Sequence, residues 1–105
     1  MRGVVVVRGG GDLATGTILR LYQCGVRVLV LECAQPTAIR RAVAFCEAVY
    51  DGVTQVEGVT CRRIDTLEEA EKVWTAGKIP LLVDETGTCL AQVRPVALVD
   101  AILAK

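Results

Sequence analysis

The chain has 105 residues, a length that suits one domain with a modest core. Hydrophobic residues make up 52% of it, which argues against disorder, and 12 basic residues balance 12 acidic ones, which argues against a general electrostatic surface for nucleic acid or anionic membrane. Histidine and serine are both absent, so a Ser-His-Asp hydrolase is excluded and the most common metal ligand and general base is missing.

The first predicted strand, Val4–Val7, is a run of valines without polar alternation, which is typical of a strand covered on both faces of a sheet. A glycine cluster, Gly9–Gly11, follows it and allows the backbone to turn tightly and to approach a ligand. A helix then starts near Asp12 or Leu13 and runs to about Cys24. Its free N–H groups and the positive end of its dipole would suit a phosphate.

A second apolar strand over Val26–Leu31 ends next to Glu32, which completes the strand–helix–strand order of a dinucleotide-binding unit. Gly9, Gly11 and Ala14 fit the G-x-G-x-x-G/A fingerprint, and Glu32 follows Gly11 by the expected distance of about 20 residues. In that fold an acid at this strand end bonds ribose hydroxyls. The pattern therefore predicts a nucleotide site.

Two alternatives stay open at the glycine loop. The glycines could serve only a tight turn between strand and helix in an α/β domain. Asp12 places a negative charge beside the predicted phosphate and could be the N-cap of the helix, where it would satisfy backbone donors itself. Arg8 offsets part of that charge, since its guanidinium could reach a phosphate.

The middle of the chain predicts a helix over Thr37–Cys46, opened by Pro36, and then a short strand over Glu47–Tyr50. Val53–Val56 and Val59–Ile64 are predicted to pair as a hairpin across the turn sequence Glu-Gly.

In the last third, Thr66-x-x-Glu69 is a capping box for a third helix that Gly77 would end. Buried strands are predicted over Ile79–Val83 and Val96–Val99, separated by a loop that includes Thr86–Cys89. Strands that alternate with helices indicate an α/β fold, which we expect to be a single Rossmann-like, three-layer domain over residues 1–105 with a mainly parallel sheet.

Acidic residues follow the last two predicted strands: Asp84 and Glu85 after one, Asp100 after the other. Since parallel strands end at the same edge of a sheet, these acids and Glu32 could line one ligand crevice. The alternative, favoured for each acid alone, is that it caps the next element. Cys33 also follows a strand end, and we expect it to be a small side chain without chemistry.

Cysteine usage and the N-terminus bear on metals and compartment. The five cysteines are scattered and form no C-x-x-C pair, so neither a disulfide framework nor a metal site is predicted. The N-terminal segment has too short an apolar run for a signal peptide or a membrane span. We therefore expect a cytoplasmic protein.

The segments RGGGDLATGTILRL, LECAQPTAIRRAVAFCEAVYDG, IPLLVDE and LVDAILAK together cover much of the chain. They resemble the N-terminal region of the selenium-dependent molybdenum hydroxylase accessory proteins, relatives of the xanthine dehydrogenase accessory factors. The run from Pro36 to Tyr50 is the most specific part of this resemblance. Members of that family are usually much longer, so a truncated chain or a short relative is expected.

The resemblance implies a role in the maturation of molybdenum hydroxylases, through molybdenum cofactor handling, sulfuration or selenium insertion. The expected partners are the apoenzyme or its maturation machinery, without nucleic acid or membrane, and a homodimer through an exposed sheet edge is a further hypothesis. Arg40 and Arg41 match positions of the family motif, and Arg40 in particular could bind a pterin phosphate or a pyrophosphate.

The expected cofactor is NAD(P) or another nucleotide, with the molybdenum cofactor as an alternative ligand that the protein would handle. Whether the chain is an enzyme is left open, and an NAD-dependent oxidoreductase domain is the competing interpretation. No catalytic residue is assigned. The predicted cofactor-binding residues are Arg8, Gly9, Gly10, Gly11, Asp12, Glu32 and Arg40.

Overall fold

The structure, a computed structural model, describes residues 3–33 and 44–101. Within these residues, six strands form one sheet in the order β3-β4-β5-β2-β1-β6. The strands are β1 (Val4–Arg8), β2 (Arg27–Glu32), β3 (Val53–Val56), β4 (Val59–Ile64), β5 (Ile79–Val83) and β6 (Ala97–Asp100). Every pairing is parallel except that of β3 with β4. The chain is therefore an α/β protein with a mainly parallel sheet, as predicted.

Helices cover both faces of this sheet. The α-helices are α1 (Asp12–Gln23), α2 (Ala48–Asp51), α3 (Ala70–Thr75) and α4 (Leu90–Val93), with 3-10 turns at Phe45–Glu47 and Leu67–Glu69. On one face, Ile18 of α1 and Val49 of α2 are buried against alternate residues of the strands, together with Phe45 of the 3-10 turn. On the other face, α3 and α4 bury Val73 and Val93 against the remaining ones. The central strands are buried on both faces, and this burial explains the unbroken apolar sequences from which they were predicted.

The direction of the connections changes between β2 and β5, which are neighbours in the sheet. The chain leaves β1 for α1 on the first face, and Phe45 and α2, the next described elements after β2, lie on that face too. After β5 the chain enters α4 on the second face. The described elements that follow these two neighbouring strands thus lie on opposite faces, and parallel sheets bind ligands at the carboxyl ends of strands where this happens.

Several local predictions are confirmed. The hairpin of β3 and β4 turns at Glu57 and Gly58, which both have positive φ angles (51° and 79°) as a type I′ turn requires. Thr66 and Glu69 form the predicted capping box, and Gly77 adopts a left-handed conformation at φ 75° after α3. These features depend on neighbouring residues only, so the sequence specifies them well.

The predictions between residues 44 and 50 are wrong. Most of the predicted helix over Thr37–Cys46 lies outside the described residues, but its end does not continue a helix, since Ala44 is extended and the 3-10 turn starts at Phe45. The predicted strand over Glu47–Tyr50 is helical and belongs to the 3-10 turn and to α2. Tertiary hydrogen bonds from Phe45 to Thr15 of α1 and from Cys46 to Gly10 of the glycine loop set this conformation.

Two further differences concern the last quarter of the chain. Helix α4 was not predicted, because four residues are too few to show helical periodicity. The strand predicted over Val96–Val99 exists as β6, but it is an edge strand rather than a buried one, with Leu98 47% exposed. No helix in the described part of the chain is long and apolar enough to cross a membrane.

Candidate functional site

The glycine loop joins the carboxyl end of β1 to the N-terminus of α1, and its three glycines do different things. Gly9 has a φ of 99°, a conformation that favours glycine, and donates its N–H to the carbonyl of Leu31 at 2.7 Å. A Cβ on Gly10 would lie 3.1 Å from the backbone nitrogen of Cys46, so the chain packs too closely there for a side chain. Both of these glycines are buried and are explained by the fold.

Gly11 is different. It is the N-cap of α1 with φ −67° and ψ −179°, extended backbone that any residue adopts, and no described atom lies within 4 Å of where its Cβ would be. No side chain of the described residues caps the helix there. The first backbone N–H groups of α1 have no partner within the helix. The fold alone does not require a glycine at this position.

Glu32 reaches back across the strand ends and contacts the loop directly. Its Oε2 accepts the N–H of Gly10 at 2.7 Å, and its Oε1 accepts the N–H of Cys33 at 2.9 Å. The carboxylate therefore has a fixed position, half-buried, beside the N-terminus of α1. It also occupies the N–H of Gly10, one of the predicted cofactor-binding residues, so this N–H is not available to a phosphate.

Thr15 and Cys46 also form hydrogen bonds with the glycine loop. The buried hydroxyl of Thr15 donates to the carbonyl of Gly11 at 2.8 Å and accepts the N–H of Phe45 at 3.0 Å. The N–H of Cys46 donates to the carbonyl of Gly10 at 2.7 Å. Residues 45–46 thus fix the loop by hydrogen bonds that sequence spacing could not reveal. Neither Thr15 nor Cys46 was among the predicted site residues.

A crevice of about 210 Å³ opens beside the loop, between the ends of β2 and β5. Its lining includes Arg8, Glu32, Cys33, Asp84 and Glu85. Such a volume is smaller than a typical cofactor pocket and can hold a sugar-sized group but not a whole dinucleotide. Because three carboxylates and one guanidinium line it, hydroxyl groups fit the crevice better than phosphates do.

Among the residues that line the crevice, Asp84 accepts several backbone hydrogen bonds from the following turn. Its carboxylate accepts the backbone N–H groups of Gly87, Thr88 and Cys89 at 3.0 to 3.3 Å. Partial burial acts to raise the pKa of Asp84, but the hydrogen bonds from Cys89, Thr88 and Gly87 outweigh it and lower the pKa to about 2. Asp84 therefore holds the turn at residues 87–89, whereas the N-cap of α4 has no side-chain hydrogen bond.

Cys89 and Cys61 are kept in the thiol form. Burial, together with the nearby Asp84 carboxylate, raises the pKa of Cys89 to about 12. Burial also raises the pKa of Cys61 far above its usual range. Since the thiolate is the reactive form of cysteine, neither side chain is suited to act as a nucleophile.

Arg8 lies at the end of β1, and its guanidinium is 3.7 Å from the carboxylate of Asp100 at the end of β6. The structure thus brings Arg8, the three glycines and Glu32 together at one edge of the sheet. Asp12 is the first residue of α1, and the N-cap position proposed for it belongs to Gly11. Arg40 lies outside the described residues. Among the described residues, no group of three or more His, Cys, Asp or Glu side chains could hold a metal ion.

A larger cavity, of about 490 Å³, lies near the amino ends of the strands, and two of its polar side chains are bonded to the backbone. The Tyr22 hydroxyl donates to the carbonyl of Gly77 at 2.7 Å, and the Trp74 indole N–H donates to the carbonyl of Val28 at 2.9 Å. These contacts fix the C-terminal ends of α1 and α3 on the sheet. We regard the carboxyl ends of the strands, where α1 begins without a side-chain cap among the described residues, as the candidate site.

Fold and site together define an α/β domain with a glycine loop after the first strand and an acid at the end of the second. No family model matches the chain, and no solved structure matches it. The chain is 49% identical over 102 residues to a protein of Escherichia coli (strain K12) described as the uncharacterized protein YqeB. The match covers 97% of this chain and 19% of that protein, so the chain spans about a fifth of the length of the curated relative.

Proposed function

We propose that this chain is a Rossmann-like, cytoplasmic accessory module that binds a nucleotide at the carboxyl edge of its sheet. Its wider role, on the resemblance of the segments quoted above, is in the maturation of selenium-dependent molybdenum hydroxylases. One observation carries the nucleotide proposal: at Gly11, the N-cap of α1, no described protein atom and no backbone strain calls for a glycine, and no described side chain caps the helix. A ligand that approaches the N-terminus of α1 closely would explain it.

The three roles of the dinucleotide fingerprint support this proposal. Gly9 makes the turn with its positive φ, Gly11 leaves the approach to α1 open, and Ala14 is 4% exposed where the helix packs on the sheet. Each residue thus meets the requirement that the fingerprint sets for its position. A phosphate would bind at the first turn of α1, and the sugar would lie in the crevice.

Glu32 is positioned to accept the hydroxyl groups of that sugar. A carboxylate has about four acceptor sites, and two of them are used by the N–H groups of Gly10 and Cys33. The remaining two can accept from a pair of ribose hydroxyls. A phosphate on the ribose would instead meet Glu32, Asp84 and Glu85, so the crevice favours NAD over NADP.

Isothermal titration with NAD, NADP, FAD, S-adenosylmethionine and ATP tests the proposal. We expect at least one of these ligands to bind, and we expect Gly11→Val to weaken its binding by about tenfold or more. The substitution should leave the circular dichroism spectrum unchanged, since the open space accepts the side chain, while the isopropyl group covers the approach to the helix N–H groups.

Gly16→Val is the matched control. Gly16 lies on the exposed side of α1, and no described atom lies within 4 Å of the point that its Cβ would occupy. We expect this variant to bind within about twofold of the unmodified chain. Equal affinities for the two valine variants would show that the ligand does not approach α1 at Gly11.

A further inference from the structure

A groove with a basic lining lies between helix α3 and strand β4, separate from the crevice at the glycine loop. Its volume is about 290 Å³, and the buried side chains of Ile64 and Val73 supply the apolar part of its lining. Its cations are Arg62 from β4, Lys72 from α3 and Lys78 from the turn between α3 and β5. Both lysines in the described part of the chain therefore lie in one groove.

The positive charges of this groove are not neutralised by the described part of the protein. None of its three cations forms an ion pair with a described carboxylate, whereas Arg27 pairs with Glu71 at 3.4 Å. Glu69 is the one carboxylate among the described lining residues. Its Oε2 accepts the backbone N–H groups of Asp65 and Thr66 at 2.7 and 2.9 Å. The capping box thus engages the acid of the lining, and the groove keeps a surplus of positive charge.

The cations are spread along the groove rather than gathered around one point. Side chains alternate along a strand, so Arg62 lies on the same face as Ile64, which packs with Val73 of α3. Arg62 is paired with Pro80 in the register of β4 and β5, and Lys78 precedes that proline by two residues. Lys78 is therefore displaced from Arg62 by about 7 Å toward the amino end of the sheet.

We propose that this groove binds an acidic, extended peptide segment of a partner protein. Side chains at alternate positions of an extended peptide share one face and repeat at about 7 Å. Two acidic side chains at such positions match the spacing of Lys78 and Arg62, and Lys72 adds a third positive charge on the α3 side. Ile64 and Val73 provide apolar contact for methylene groups of the segment.

The distribution of charge favours a peptide over a nucleic acid as the occupant. Glu68 and Glu71 are exposed in the same segment as Lys72, and they would repel a continuous row of phosphates. No described aromatic residue lines the groove, so bases would have no stacking partner there. A peptide can instead place a few carboxylates at the cations and neutral groups beside the two acids.

Fluorescence anisotropy with the full chain and a labelled peptide, Glu-Val-Glu-Val-Glu blocked at both ends, tests the groove. We expect saturable binding below about 1 mM peptide in about 50 mM NaCl, and weaker binding in about 500 mM NaCl. The neutral peptide Gln-Val-Gln-Val-Gln should not bind. In the backbone amide spectrum, the acidic peptide should shift the signals of Ile64 and Val73 and leave that of Gly11 unmoved.

Two double variants with the same change in net charge locate the site. Lys72→Gln with Lys78→Gln should weaken binding of the acidic peptide by about fivefold or more. Arg20→Gln with Arg94→Gln removes two exposed cations outside the groove and should bind within about twofold of the unmodified chain. Unchanged circular dichroism spectra would show that both variants are folded.

Three results would overturn the proposal. The first is equal affinity of the two double variants for the acidic peptide, and the second is equal affinity of the unmodified chain for the acidic and neutral peptides. The third is displacement of the acidic peptide by single-stranded oligothymidylate at a lower concentration than by unlabelled peptide, which would assign the groove to nucleic acid.

Discussion

Replacing Glu32 by glutamine is expected to lower the free energy of unfolding by about 2 kcal/mol, or the melting temperature by about 10 °C. The carboxylate accepts two backbone N–H groups, from Gly10 and Cys33, with a separate oxygen for each. Glutamine has nearly the same shape but only one acceptor oxygen, so its amide group would face one of these donors. The measurement is thermal and urea unfolding followed by circular dichroism.

The same substitution should weaken nucleotide binding by about tenfold, because the sugar hydroxyls lose a charged acceptor. Glu71→Gln is the matched control. Glu71 forms a surface ion pair with Arg27 at 3.4 Å, with half of its side chain exposed, and pairs of this kind contribute little to stability. If Glu32→Gln were as stable as Glu71→Gln, the carboxylate would not hold the loop as we describe.

Replacing Thr15 by valine should also lower the free energy of unfolding by about 2 kcal/mol. Thr15 is 2% exposed, and its hydroxyl is the acceptor for the N–H of Phe45. Valine is isosteric and equally branched, so packing and helix propensity change little, but the Phe45 N–H is left buried without a partner. The carbonyl of Gly11 keeps the backbone N–H of Thr15 at 2.9 Å, so the loss falls on Phe45 alone.

Thr17→Val isolates that effect, since Thr17 lies on the exposed side of the same helix. We expect it to change stability by no more than about 0.5 kcal/mol. Hydrogen exchange gives a second measurement: the Phe45 amide should lose protection in Thr15→Val and keep it in Thr17→Val. Similar stability of the two variants would mean that the Thr15 hydroxyl does not hold residues 45–46 on the glycine loop.

The parts of the fold that could be predicted are those that short-range patterns specify. Strands β1, β2 and β5 are apolar because helices cover them on both faces, and that burial is visible in the sequence as unbroken hydrophobic runs. The Glu57-Gly58 turn and the capping box of Thr66 and Glu69 depend on residues within a few positions of one another. Each of these was located correctly.

The errors arise where distant residues decide the conformation. The conformation of segment 44–50 is set by hydrogen bonds from Phe45 to Thr15 and from Cys46 to Gly10. These partners are distant in the sequence, so the sequence of the segment itself does not reveal them. Strand β6 has an apolar sequence that suits burial, but the structure places it at the edge of the sheet. An apolar run shows that burial is favoured, but it cannot show which surface provides it.

For the candidate site, the sequence placed Arg8, the glycine loop and Glu32 at neighbouring strand ends, but it did not reveal the contacts that they make. Glu32 was expected across the crevice from the glycine loop, whereas it bonds the loop at Gly10. Asp84 lines the crevice as expected, but its carboxylate is also bonded to backbone N–H groups of residues 87–89. Spacing places residues at strand ends, but the direction of each side chain depends on which backbone N–H groups lie nearby, and only the folded chain determines that.

The most direct test of a nucleotide site is to titrate the ¹⁵N-labelled chain with NAD and follow its backbone amide signals. We predict saturable shifts at Gly11 and in the first turn of α1. Gly77, which lies near the amino ends of the strands, should show no shift. If millimolar NAD, NADP, FAD, S-adenosylmethionine and ATP all left the Gly11 amide unmoved, the proposal that this loop binds a nucleotide would be contradicted.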